Sequence, residues 1–194
     1  MYNLAVHHIH KTSGFIIGHK VYGEADKIYY IFTKDFGLII AIAQGIRLEK
    51  SKLRYGLDDY SISSLALVRG KEFWRIVGAE VMSKTDYKPK IKVLARIGML
   101  LKRLIHGEEE NQAIFSIIDK INKADEIDEV DYYKNLETLT VISLMNCLGY
   151  AKIDKEIQAI ISLDSYSKDN LLLIETKRKE LNQIINQSLK NTQL

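Results

Sequence analysis

The chain has 194 residues, 46% hydrophobic and 27% charged, with a formal net charge of +3. That is enough apolar material for one or two cored domains, and it excludes a disordered or collagen-like chain. The longest apolar run lies within residues 37–43, far short of the roughly 18 residues of a spanning helix, and a single cysteine, Cys147, excludes an intrachain disulfide and a cysteine zinc cluster. The first residues lack a positively charged segment followed by an apolar block, so no secretory signal is expected. A reducing, cytoplasmic setting is the simple expectation.

Residues 15–21 follow Gly14 and are rich in β-formers, and residues 27–33 (KIYYIFT) are β-branched and aromatic throughout. Lys34-Asp35-Phe36-Gly37 is a turn signal, and residues 38–43 read as a buried strand, so the two runs form a hairpin. In the first run Ile28, Tyr30 and Phe32 share one face; the expectation is that they point inward, leaving Lys27 and Tyr29 outward. Residues 61–68 and 73–82 complete a set of five strands, with Trp74 and Ile76 on one face and Trp74 read as a core aromatic. Five short strands with turns between them are the pattern of an OB-fold barrel. The polar connection 44–59 is too long to be a simple turn, and loops of that length are often functional.

Beyond Pro89 the apolar period becomes helical. Helices are expected from Ile91 to a stop at His106-Gly107, over 111–122, over 132–148 ending at Gly149, from an Asp154 cap through Ile161, and as one last helix over 169–189. Glu108-Glu109-Glu110 is expected to open the second of these, where negative charge suits the dipole. Cys147 is read as a core residue. The expected fold class is therefore α+β by chain, all-β then all-α. Residues 1–86 would be a five-stranded OB-fold, DNA-binding domain, and residues 87–194 an all-helical domain for partner docking. Residues 1–106 carry 18 Lys and Arg against 9 Asp and Glu, whereas residues 107–194 carry 10 against 16. A basic half joined to an acidic half suggests two modules with different partners.

Catalytic signatures are missing: no Gly-rich phosphate loop and no nucleophile with a histidine placed near it. His7, His8 and His10 lack further ligands at fixed spacing and read as a solvated segment, and Asp26 reads as turn chemistry bonding its own backbone. The positive signal is the basic connection. Arg47, Lys50, Lys52 and Arg54 can spread towards consecutive phosphates, with Lys27 and Lys34 as secondary contacts. Tyr55 and Tyr60 flank them, and aromatic faces stack on unpaired bases.

Several segments carry a resemblance. Val21-Tyr22-Gly23-Glu24-Ala25-Asp26-Lys27-Ile28, then Phe32-Thr33-Lys34-Asp35-Phe36-Gly37, Ala43-Gln44-Gly45-Ile46-Arg47 and Lys50-Ser51-Lys52-Leu53-Arg54-Tyr55-Gly56-Leu57 resemble the RecO family in order. Arg69-Gly70-Lys71 and Trp74-Arg75-Ile76-Val77-Gly78-Ala79-Glu80 continue it. The resemblance implies a non-enzymatic recombination and repair mediator with an OB-fold and a helical domain. Such a protein binds single- and double-stranded DNA, anneals strands, and with RecR loads RecA onto strands covered by single-stranded DNA-binding protein. Many members carry a four-cysteine zinc site, for which this chain has one cysteine, so no metal, cofactor or membrane partner is expected. The competing reading is a protein-interaction adaptor whose barrel does not bind DNA.

Overall fold

The computed structural model describes residues 8–191. They fall into two compact units: one holds the chain up to Lys84 together with Ile105–Asn111, the other Thr85–Leu104 and the chain from Gln112 onward.

The first unit is built on β1 (Ile9–Tyr22), β2 (Asp26–Thr33), β3 (Gly37–Ala43), β4 (Ile62–Val68) and β5 (Trp74–Ser83). They close into a barrel in the order β1-β2-β3-β5-β4. β1, β2 and β3 form an antiparallel meander, β3 meets β5 in parallel through Ala41↔Trp74 and Ile42↔Arg75, and β4 returns to β1. This is an OB-fold barrel.

β1 begins six residues before the expected strand because it serves two neighbours. Its residues Ile9 to Phe15 pair with β4 and its residues Gly14 to Tyr22 with β2. Gly14 sits where the two pairings overlap. A Cβ there would lie 2.6 Å from Ile31 Cγ2 and 2.7 Å from Leu65 Cδ1, so any side chain at this position must push those two core side chains aside.

The barrel core gathers Ile16, Tyr29, Ile31, Ile39, Ala41 and Trp74. The expected facing of β2 is therefore reversed: Tyr29 and Ile31 point inward, not Ile28, Tyr30 and Phe32. Both faces of β2 are apolar, and Ile28 and Phe32 are buried too, so alternation alone did not distinguish them. Register did. Tyr29 lies opposite Ala41, whose small side chain leaves room for the phenol ring inside a narrow barrel. Trp74 is a core residue as expected, 4% exposed.

The second unit comprises α1 (Lys88–Leu104), α2 (Gln112–Lys123), α3 (Val130–Cys147), α4 (Lys155–Ile161), α5 (Lys168–Glu175) and α6 (Arg178–Asn191). α3 packs against α1, α2, α5 and α6, and its buried residues cover every side of the helix. Asp154 caps α4 as expected, its Oδ1 accepting from the Ile157 amide at 2.8 Å. The expected last helix is two helices. Ser167 caps α5, and the Lys177 amide bonds the Ile174 carbonyl at 3.0 Å, a tightened turn that ends α5. Arg178 then opens α6 with its Nη1 2.8 Å from Asn135 Oδ1 on α3.

Three further expectations change. Glu108-Glu109-Glu110 does not open α2, which starts at Gln112; these residues belong to the barrel unit, where Glu108 pairs with Arg69. Cys147 is half-buried at the end of α3 rather than a core residue. The charge asymmetry between halves also disappears. The barrel unit holds 12 Lys and Arg against 11 Asp and Glu, and the helical unit 16 against 14. Six of the cations counted in the first half lie on α1 and three carboxylates of the second half lie with the barrel. Among the described residues no helix is long and apolar enough to cross a membrane.

Candidate nucleic-acid interface

The long connection between β3 and β4 is stitched to the β1–β2 turn before it reaches its cations. Asp26 Oδ1 accepts from the Gly45 amide at 2.7 Å, and the Arg47 amide donates to the Ala25 carbonyl at 2.9 Å. Asp26 therefore ties two loops together instead of bonding its own backbone as expected. The Arg47 guanidinium leans over the same turn, with Nη1 3.4 Å from the Gly23 carbonyl. Further on, a 3-10 helix (Leu53–Gly56) turns the chain back, and Gly56 is buried while Tyr55 stands 74% exposed.

Of the six basic residues singled out from sequence, three line one cavity. Lys27, Arg47 and Arg54 surround an opening floored by Tyr29, Ile46 and Leu57. Lys50 and Lys52 are exposed on the connection but do not line the cavity. Lys34 is exposed in the β2–β3 turn, seven residues along from Lys27, or roughly 23 Å at the usual strand rise.

Charge in this cavity is mixed, because Asp58 and Asp59 also line it. His19 links the two signs: its Nδ1 is 2.8 Å from Asp59 Oδ1 and its Nε2 3.1 Å from Lys27 Nζ. An ammonium can only donate, so Nε2 accepts and the imidazole proton sits on Nδ1, donating to Asp59. Beneath them Tyr29 is 1% exposed, and burial, then Asp59 and Asp58, push its phenol well above the ordinary tyrosine range. Arg54 is only partly available: its Nη2 donates to the Leu48 carbonyl, bracing the connection, and its Nε is buried without a partner. Lys27, expected outward with Tyr29, instead shares the inward face with it at the barrel rim.

His19 and the acidic pair were missed by sequence reasoning. The signal was present in principle, since the β1–β2 register places His19 opposite Tyr29, but register was unavailable without the fold. The His8 and His10 rings meet edge-on, with centroids 4.7 Å apart. His10 is not solvated as expected; it packs edge-on against Phe36 and Trp74 at 5.4 and 5.5 Å. His7 lies outside the described residues. Among the described residues no three His, Cys, Asp or Glu side chains converge as a metal site would require.

The barrel is similar to a known domain. Residues 7–84 match the model of the recombination protein O N-terminal domain. The barrel is therefore similar to the N-terminal domain of RecO proteins. Among curated RecO proteins, the DNA repair protein RecO of Alkaliphilus metalliredigens is 34% identical over 103 residues, covering 53% of this chain and 42% of that protein. DNA repair protein RecO of Dehalococcoides mccartyi strain 195 is 30% identical over 115 residues, 57% of this chain and 46% of that protein. The one from Acetivibrio thermocellus is 39% identical over 72 residues, 37% of this chain and 29% of that protein. The chain thus matches less than half the length of these RecO relatives.

Proposed function

We propose that the chain is a non-enzymatic, cytoplasmic recombination and repair mediator of the RecO type. It binds single- and double-stranded DNA through its barrel, promotes annealing, and works with RecR and single-stranded DNA-binding protein to load RecA. The observation that carries this reading is the cluster of Lys27, Arg47 and Arg54 at the rim of a RecO-like barrel, next to the exposed ring of Tyr55. Annealing of this kind breaks no covalent bond. A surface that holds two strands lowers their mutual repulsion and raises their local concentration. Because the barrel unit is nearly neutral, attraction comes from the local arrangement of Arg47, Lys50, Lys52 and Arg54 rather than from long-range net charge.

Four neutralised phosphates give log K against log salt a slope of about −3 for a single strand. Changing Arg47, Lys50, Lys52 and Arg54 together to Ala should flatten that slope and weaken binding to all sequences alike. Fluorescence anisotropy of labelled oligonucleotides over a salt series measures both. Unchanged affinity in the fourfold variant refutes the assignment and leaves the adaptor reading, which the carboxylates of Asp58 and Asp59 in the same cavity favour.

A further inference from the structure

The segment between β4 and β5 forms a second opening that the basic connection does not reach. Val68, Arg69, Lys71, Phe73 and Arg75, with Ile42 of β3, line a cavity of about 370 Å³. Its loop is closely built: a Cβ on Gly70 would lie 2.2 Å from the Phe73 carbonyl oxygen, so the reversal that aims Lys71 and Phe73 admits only glycine there. Arg69 is held as a wall, its guanidinium 4.7 Å from the Trp74 ring centroid and paired with Glu108. Lys71 and Arg75 are different. Among the described residues neither side chain has a hydrogen-bond or ion-pair partner, and Glu72 is the one carboxylate in the lining. Phe73 meets Tyr22, at the end of β1, edge-on with ring centroids 6.2 Å apart, and Tyr22 is 46% exposed.

From this juxtaposition we infer that the β4–β5 loop is a second nucleic-acid site, one that takes an unpaired nucleotide of a single strand. It rests on the nucleic-acid reading above and gives that reading a specificity element. Lys71 and Arg75 supply two cations for backbone phosphate, while Phe73, backed by Tyr22, supplies an aromatic face. An unpaired base can stack on that face, whereas a base within a duplex has both faces already covered by its neighbours. Lys71 and Arg75 therefore act on either form of DNA, and Phe73 acts on the single strand alone.

The test compares a labelled 20-residue oligothymidylate with a 20-base-pair duplex, titrated with the full chain at several salt concentrations. Phe73→Leu keeps an apolar side chain under Tyr22 and removes the ring. It should weaken single-strand binding about tenfold and leave duplex binding unchanged. Lys71→Ala with Arg75→Ala should weaken both and flatten the single-strand salt slope by about 1.4. Equal loss on both probes with Phe73→Leu, or no loss on either, overturns the site. If the unaltered chain binds neither probe, this site and the reading above fall together. If the fourfold variant of the basic connection loses binding while Phe73→Leu and the Lys71, Arg75 pair do not, only the loop site falls.

Discussion

Lys90 is the clearest case of a single residue working against its own solvation. It is 3% exposed at the start of α1, and its Nζ donates to the Ala124 carbonyl at 2.8 Å with Glu126 Oε1 at 3.6 Å. Burial holds its ammonium below the ordinary lysine range, partly offset by Glu126. The unfolded chain keeps that proton up to about pH 10.5, so between the lowered value and 10.5 it binds more protons than the folded chain. Stability should therefore rise as pH rises through that window, and the desolvation cost is fully present below it. Lys90→Met keeps the stem's volume and removes the ionisation. It should change stability by no more than about 1 kcal/mol at pH 7.5, since a lost hydrogen bond offsets a relieved charge. It should also abolish Lys90's contribution to the rise as pH climbs towards 10.5. Urea unfolding at pH 7.5 and over the approach to pH 10.5 measures both; an identical pH slope in the variant contradicts this account.

At the scale of elements, β1 shows what a propensity reading sees and what it leaves out. The β-rich core of the strand was legible in residues 15–21, but the preceding residues pair with β4 and gain strand geometry from that partner. Gly14 looked like a boundary and is instead the close approach inside one long strand. Gly14→Ala should cost about 1–3 kcal/mol through overpacking against Ile31 and Leu65, read as a fall in the thermal midpoint by circular dichroism. A midpoint unchanged within a degree means that the core yields there. In the helices, Asp154 and Gly149 marked ends that the structure keeps, Gly149 with φ +78°. The break between α5 and α6 carried no proline or glycine. It depends on Lys177 and Arg178 reaching Glu156 and Asn135, partners distant in sequence.

For the whole molecule, the distribution of charge by compact unit matters more than its distribution by half. α1 holds six of the chain's cations, Lys90 among them, and Arg96 is paired with Glu137. If the barrel rim makes the phosphate contacts, Lys88→Ala with Lys92→Ala should leave the salt slope for oligonucleotide binding within about 0.3 of the unaltered chain. Arg47→Ala with Lys50→Ala should flatten it by about 1.4. Anisotropy titrations of both pairs decide between barrel and helix; the reverse ranking moves the interface off the barrel.

Composition and periodicity by themselves determined the five β-runs, the change to helix after Pro89 and most helix ends, because each depends on near neighbours in the chain. They also picked out Arg47, Lys50, Lys52 and Arg54, since a cationic run is a local feature. Tertiary structure alone decided which face of β2 is interior, that Lys27 meets His19 and Asp59, that Arg54 braces its own loop, and that Glu108 turns back to Arg69. Each of those outcomes depends on strand register or on a contact between residues far apart in the chain, and neither is encoded in local spacing.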